Sequence, residues 1–268
     1  MNSWQATALN TAPDSENQTH SDELAKEYGF KGGLVPGVTI SAYLLHPVIE
    51  SFGEAWLADG YANCKVSSPL YDGETFTVSS EILKEGCHNT FLKNQEGRII
   101  ANAESKLIKN KHPEPKYRGD PLVQENFKAP KASFAIWDKL KKEGCRAFEF
   151  HWGGKDPLIY LSDEGLLPEI LQPKGGGFAN LCFLLGCSNW ILAGNAFMNP
   201  WVHLQTKSQN YKPVPLNTFL IAEMSVEDFY EKKGHEFIEV EVNLFESKSK
   251  SCVMSINLLA IFKLRNNE

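Results

Sequence analysis

Hydrophobic and polar positions change rhythm twice along the chain, in the same order each time. From residue 34, LVPGVTISAYLLHPVIESFGEAWL places Val38, Ile40, Tyr43, Leu44, Val48, Ile49 and Phe52 at spacings of three and four, the period of a helix. The run is apolar over most of its circumference, which predicts a helix covered on nearly every side. His46-Pro47 falls inside it, and the proline predicts a kink because it removes one ladder hydrogen bond. Beyond this run the period drops toward two. Residues 61–66, 75–84 (TFTVSSEILK), 88–93 and 99–108 (IIANAESKLI) read as four strands joined by turns at YDG and NQEGR.

The second half repeats that order. After GGG at 175–177, residues 178–197 (FANLCFLLGCSNWILAGNAF) form another nearly all-apolar helical run. Strands are predicted over 201–209, 218–230, 236–245 and 252–264. The likeness is one of element order, not residue identity. Between the halves, 109–135 is rich in proline and lysine and reads as a crossover along the surface. A short helix is predicted over 133–143, edge strands over 147–151 and 158–161, and a short helix over 163–171 before Pro173. A helix this apolar is buried only where a curved sheet closes around it, and one such unit is small for an independent core. Two units side by side would extend one sheet, cover each other's edges and leave a tunnel between their helices. The expected class is α+β, with units over 1–115 and, crossover included, 116–268. A single sheet with two helices on one face, or two unrelated α+β domains, are the alternatives.

Composition narrows the function classes. Apolar residues make up 42% and charged residues 22% of the 268, an ordinary globular balance. The formal net charge of -6 speaks against a chain built to hold nucleic acid. The basic run over 106–116, KLIKNKHPEPK, reads as a solvated strand end and linker. Six cysteines show no CxxC spacing, and the first twenty residues have neither a basic nor an apolar leader segment. No apolar run reaches the roughly 18–20 uninterrupted residues that a spanning helix needs. Free thiols, a cytoplasmic location and no membrane partner are expected. Without GxGxxG, a P-loop or metal-ligand spacing, neither a nucleotide cofactor nor a metal is expected.

Candidate chemistry gathers ahead of the first apolar run, in SENQTHSDELAKEYGFKGGLVPG at 15–37. Residues 22–27 predict a short helix with Ser21 as its N-cap, and in the plain reading Asn17, Thr19 and His20 only assist that cap. In the functional reading His20, which titrates near neutrality, is a base partnered by Asp14, Glu16 or Asn17. Pro36 suits the start of a helix and cannot donate. The N–H of Gly37 or Val38 would then be an unpaired donor at a helix end that favours negative charge. A base together with N–H donors aimed at a carbonyl oxygen is what acyl chemistry at a carbonyl requires. Elsewhere the plain reading leads. His46 fits a satisfied core histidine, and His151 and Asp156 flank the turn-like WGGKDP. His203 lies on an alternating strand. Asn189 falls inside the second apolar run, where a buried amide needs partners. Cys182 and Cys187 are five apart with no sign of activation.

Asn17, His20, Ala25, Gly29-Phe30 and Val35-Pro36-Gly37-Val38 resemble the hydratase segment of the MaoC-like proteins and (R)-specific enoyl-CoA hydratases. The helix-then-meander order, used twice, resembles a double hotdog fold. In that family an Asp-x-Asn-Pro-x-His run precedes a short helix and then a glycine that starts the central helix. The resemblance implies that Asn17 and His20 match the family's asparagine and catalytic histidine, and that the Gly37 N–H faces the thioester oxygen. It places Val35 and Val38 beside the bound group. Gln18 replaces the usual proline. Ser15 stands at the place of the catalytic aspartate, with Asp14 and Glu16 on either side, and Asp14 is six residues from His20 instead of five. The motif also lies in the first unit, whereas two-unit members usually carry it in the later one.

The implied reaction is hydration or dehydration of an enoyl or 3-hydroxyacyl thioester. The CoA or carrier-bound phosphopantetheine belongs to the substrate, and no other cofactor is expected. An acyl carrier protein and a second copy of the chain, as a homodimer, are the expected candidate partners. Two alternatives stand beside this reading. An acyl-CoA thioesterase would need only one activated water, from His20 or from a helix-borne carboxylate such as Glu50. A non-catalytic acyl-thioester-binding protein is the reading that Ser15 favours.

Overall fold

The apolar run that begins at Gly37 folds as a helix in which residues 38–46 are all buried, and the alternating segments after it wrap it as strands. The computed structural model describes residues 2–84, 86–109, 113–153 and 159–265. The first unit opens with strand Asn2–Thr7 (β1), short helix Asp22–Glu27 (α1), central helix Gly37–Phe52 (α2) and short helix Glu54–Asp59 (α3). Strands Gly60–Val66 (β2), Thr75–Lys84 (β3), Cys87–Asn94 (β4) and Ile99–Leu107 (β5) follow. The second unit has helix Phe134–Glu143 (α4), strand Phe148–Trp152 (β6) and central helix Leu181–Asn195 (α5). It closes with Val202–Asn210 (β7), Thr218–Lys232 (β8), His235–Glu246 (β9) and Cys252–Lys263 (β10).

These strands form one curved antiparallel sheet in the order β1-β3-β4-β5-β2-β7-β10-β9-β8-β6. Outward from the β2–β7 junction the two sides match: β5, β4, β3 and β1 on one, β10, β9, β8 and β6 on the other. The repeat of element order is therefore a repeat in space. The junction runs from Tyr61 opposite Gln209 to Lys65 opposite Gln205, and the Gln205 amide donates to Asn63 Oδ1 at 2.6 Å. Beyond Lys65 the two strands part, and the space between them matters below.

The two central helices meet each other inside the sheet. Thr39 on α2 lies 3.3 Å from the Cys182 sulfur on α5, and Thr11 lies 2.6 Å from the Thr39 hydroxyl. An aromatic wedge of Trp4, Tyr43 and Phe76 fills the outer side of α2, with Tyr43 and Phe76 stacked at 4.4 Å. Such rings combine large apolar burial with specific edge and face contacts. The crossover is tied down by Glu223, fully buried on β8, whose carboxylate accepts the N–H groups of Arg118, Gly119 and Asp120 at 2.8, 2.7 and 2.9 Å. Three charge-assisted bonds offset the cost of burying that carboxylate.

Several local expectations change. The sequence pattern does not announce β1; it forms because it covers the open edge of β3, and Trp4 reaches the core from it. Pro47 lies inside α2 without ending it, and the helix stops at Gly53, whose φ of +52° turns the chain into α3. Residues 159–161 are not a strand, and Leu158 lies outside the described residues. The helix expected over 163–171 is two short 3-10 turns, Glu164–Leu166 and Glu169–Leu171. Pro168 separates them and holds Leu167 extended.

Candidate active site

The loop before α2 folds back on itself through its polar residues. Asn17 caps the 3-10 turn Gln18–His20, and Ser21 caps α1 by accepting from Leu24 N–H at 3.4 Å. Leu34 N–H donates to Thr19 O at 2.8 Å, so the chain returns beside its own start. Gly33 is required for that return, since a Cβ there would sit 2.6 Å from the His20 carbonyl oxygen. The capping reading and the site reading of this stretch describe the same structure: the caps are what hold His20 in place.

His20 Nδ1 lies 2.8 Å from Leu34 O. A carbonyl only accepts, so Nδ1 carries the hydrogen, and the neutral ring presents its lone pair at Nε2. Asn17 Nδ2 approaches that nitrogen at 3.4 Å. Burial lowers the His20 pKa from its ordinary value, and the bond to Leu34 only partly opposes this. The ring is therefore poised as a neutral base.

Asn17 does more than face His20. Its Oδ1 accepts from Trp201 N–H at 3.3 Å and its Nδ2 donates to Trp201 O at 3.0 Å. Asn199 adds two bonds, accepting from Gln18 N–H at 2.9 Å and donating to Glu16 O at 2.7 Å. The entry to β7 in the second unit thus holds the histidine loop of the first.

Of the amides at the start of α2, Val35 N–H is committed to Leu70 O at 2.9 Å and is not free as a donor. Thr39 and Ile40 N–H both bond to Pro36 O. Among the described residues the Gly37 and Val38 N–H groups have no partner, as expected for the first turn of a helix. Gly37 and the Val35 side chain line an inner cavity of about 130 Å³, and Val38 lines an outer cleft of about 710 Å³. Asn17, His20, Asn189 and Trp201 line both.

Asp14 is not brought to this point. It is exposed, lines neither space, and forms no hydrogen bond or ion pair with His20 among the described residues. Ser15 and Glu16 line the cleft instead, and Ser15 Oγ accepts from Asn17 N–H at 3.1 Å, bracing the loop. Glu50 cannot act here: it lies thirteen residues along α2 from Gly37, about 20 Å at the helical rise. Its carboxylate meets His46 at 3.3 Å. His46 is a core residue, stacked on Trp4 at 4.0 Å and 3.1 Å from the Tyr160 hydroxyl. His151 stacks on Phe219 at the sheet edge, and Asp156 lies outside the described residues. Burial pushes the Cys182 thiol up to about 11, away from nucleophilic use.

Two residues ranked low on sequence belong to the site. His203, on β7, packs its ring on the start of α2, where a Cβ on Gly37 would come within 2.6 Å of its Cδ2. Its Nδ1 lies 3.1 Å from Asn189 Oδ1 on α5. The signals in the sequence were an amide inside an apolar helix and a histidine in a strand, fourteen residues apart.

No family model and no curated protein matches the chain. Solved structures do. A conserved hypothetical protein of Mycobacterium tuberculosis, described as a double hotdog fold, is 11% identical with a TM-score of 0.59, over 97% of this chain and 95% of that one. A candidate thioesterase II of Thermobifida fusca gives 12% and 0.54, over 98% and 93%. The dehydratase domain of RzxB from Pseudomonas fluorescens gives 9% and 0.51, over 86% of each. The fold is a double hotdog. Identities this low speak to that fold alone.

Within this double hotdog Thr39 of α2 lies against Cys182 of α5. The cleft runs along α5 from Cys182 to Gly194 and reaches Val38, and the inner cavity lies at the amino end of α2. The inner cavity occupies the place where β2 and β7 part, between residues 66–70 and 201–204. Chemically, the arrangement offers the neutral imidazole of His20, two helix-end amides, and a small cavity and a wide cleft that share His20 in their walls.

Proposed function

We propose that the protein adds water to an enoyl thioester, or removes it from a 3-hydroxyacyl thioester, carried on CoA or a carrier protein. The observation that carries this reading is that His20 lines both spaces. Its Nε2 lone pair faces the Asn17 amide at 3.4 Å, and Gly37 and Val38, at the start of α2, each line one of the two spaces. In this reading the acyl group enters the inner cavity and the pantetheine arm lies in the cleft. The thioester oxygen takes the helix-end N–H groups, where hydrogen bonds and the helix dipole favour developing negative charge.

In hydration, His20 Nε2 takes a proton from water as the water oxygen bonds to C3. The electrons of the C2–C3 double bond move toward C1 and place charge on the carbonyl oxygen. The imidazolium then returns its proton to C2, so one base serves both transfers and no carboxylate is needed. Dehydration is the reverse. Asn17 positions the ring by pinning its loop to Trp201.

Hydrolysis is the second reading, since it needs only one base and His20 has no carboxylate bonded to it among the described residues, an arrangement that serves either reaction. The same base would direct water to C1 and pass the proton to the departing sulfur. Crotonyl-CoA separates the two. Loss of enoyl absorbance without thiol release is the expected result, and His20→Ala should lower that rate by about 10²- to 10⁴-fold. Thiol release from crotonyl- or butyryl-CoA would replace hydration with hydrolysis. Unchanged turnover in the variant would remove His20 from the chemistry.

A further inference from the structure

A pantetheine arm lying in the cleft ends in a phosphate, whether CoA or a carrier protein supplies it, and that charge needs a counterpart in the walls. No Asp, Glu, Lys or Arg lines the inner cavity, so the phosphate has no match there. Along the cleft, among the described residues, Lys128 is the one Lys or Arg and Glu16 the one carboxylate. Glu16 belongs to the histidine loop, its carbonyl oxygen held by Asn199. Lys128 stands on the crossover.

The fold fixes where this lysine sits. Val123 N–H donates to Ala147 O at 2.9 Å, beside Phe148, whose ring packs on Gly194 of α5. Phe197 N–H, just past α5, donates to Pro130 O at 2.8 Å. Residues 123–130 therefore run past the carboxyl end of α5. Ala132 N–H donates to Phe197 O at 2.8 Å, so Lys131 is clamped against the same residue. It lines the neighbouring groove, which shares Phe197 and Met198 with the cleft. Both lysines are exposed, and neither forms an ion pair with a carboxylate among the described residues. Of the carboxylates in that groove, Glu236 is taken by Lys263 and Glu27 pairs with neither lysine. On a chain of net charge -6, the two make a local positive spot.

The span agrees. From Asn189, which lines the cleft with His20, to Gly194 is five residues of α5, about 8 Å along its axis, and the crossover lies beyond that end. A pantetheine arm has a backbone of about a dozen atoms, comparable to four extended residues, and reaches about 14 Å. With the thioester at His20, its phosphate comes to the carboxyl end of α5. We propose that Lys128 and Lys131 bind the phosphate of the phosphopantetheine arm as charge-assisted donors at the far end of the cleft. The inference rests on the acyl-thioester reading above and adds the carrier end to it. A thioester on an arm without phosphate would react at the same site but bind less well.

Steady-state turnover of three crotonyl thioesters, followed by enoyl absorbance and by thiol release, tests this. They are crotonyl-CoA, a crotonyl group on a phosphopantetheinylated carrier protein, and crotonyl-pantetheine, which has the arm and no phosphate. KM should be about tenfold lower for crotonyl-CoA than for crotonyl-pantetheine. The double variant Lys128→Ala/Lys131→Ala should raise KM for crotonyl-CoA about five- to tenfold with little change in kcat, and leave crotonyl-pantetheine unaffected. Both side chains are exposed, so the exchange leaves the fold intact. Lys128→Arg/Lys131→Arg, which keeps the charge, should restore most of the difference. An equal rise for the carrier-bound substrate means that the lysines read the phosphate common to both. A rise confined to one of the two names the source that the site uses. Unchanged KM for both phosphate-bearing substrates, or an equal rise for crotonyl-pantetheine, overturns the proposal and leaves the acyl-thioester reading standing. Wild-type protein that turns over none of the three overturns both.

Discussion

Two effects set the protonation of the His20 ring. Leu34 O fixes the hydrogen on Nδ1, and burial keeps the ring neutral. A base with a lowered pKa retains its lone pair to lower pH than an ordinary histidine. The acid limb of kcat/KM for crotonyl-CoA should therefore have its midpoint below pH 6.5, and a midpoint above it would assign the limb to another group. At this scale the sequence could bring His20, Asn17 and Gly37 together, because their spacing lies within one loop and one helix start, and all three line the inner cavity. It was uninformative about carboxylates. Asp14 is near His20 along the chain, but the turn leaves it in solvent, while Ser15 and Glu16 face the cleft. His203 and Asn189 could be suspected singly but not paired, since their contact depends on how α5 packs against the start of β7.

Among the elements, α2 carries the most conflict between burial and polarity. His46 sits at its centre, 1% exposed, between Trp4, Tyr160 and Glu50. Burial lowers its pKa to about 4, as it does for His203 on β7. Below pH 6.5 the unfolded chain binds protons at both histidines that the folded chain excludes, so stability falls as pH drops toward 4. From pH 7 to 5 the loss should be about 2 kcal/mol for each histidine. Urea unfolding at the two pH values measures it, and His46→Phe should remove about half of the shared loss. A pH-independent unfolding free energy would mean that neither ring is held neutral. The helices and hairpins were legible because their periods are long and regular. The edge strand β1 was not, because six residues with little alternation owe their structure to the open edge of β3. The 3-10 turns near Pro168 were misread for a related reason: apolar spacing persists there while the prolines forbid a continuous helix.

For the whole molecule, the β2–β7 junction decides what counts as one complete site. Two single-unit chains would have to associate to form this junction, whereas here one chain supplies both sides. The site uses that continuity, since His20, Asn17 and the α2 amides come from the first unit while Trp201, Asn199, Asn189 and His203 come from the second. The Asn17–Trp201 pair places the histidine loop, and the His203 ring packs on Gly37, so neither unit retains the geometry without the other. Among the described residues no helix is long and apolar enough to cross a membrane, and none of the contacts just named needs a second chain. Turnover per chain should therefore remain constant as the protein is diluted from micromolar to nanomolar, whatever larger assembly forms at high concentration. Activity that falls on dilution, in step with loss of a dimer on light scattering, would mean that a partner copy completes the cleft. The cleft is where such a contribution would enter, because Phe127, Phe148, Trp190 and Phe197 give it an apolar wall.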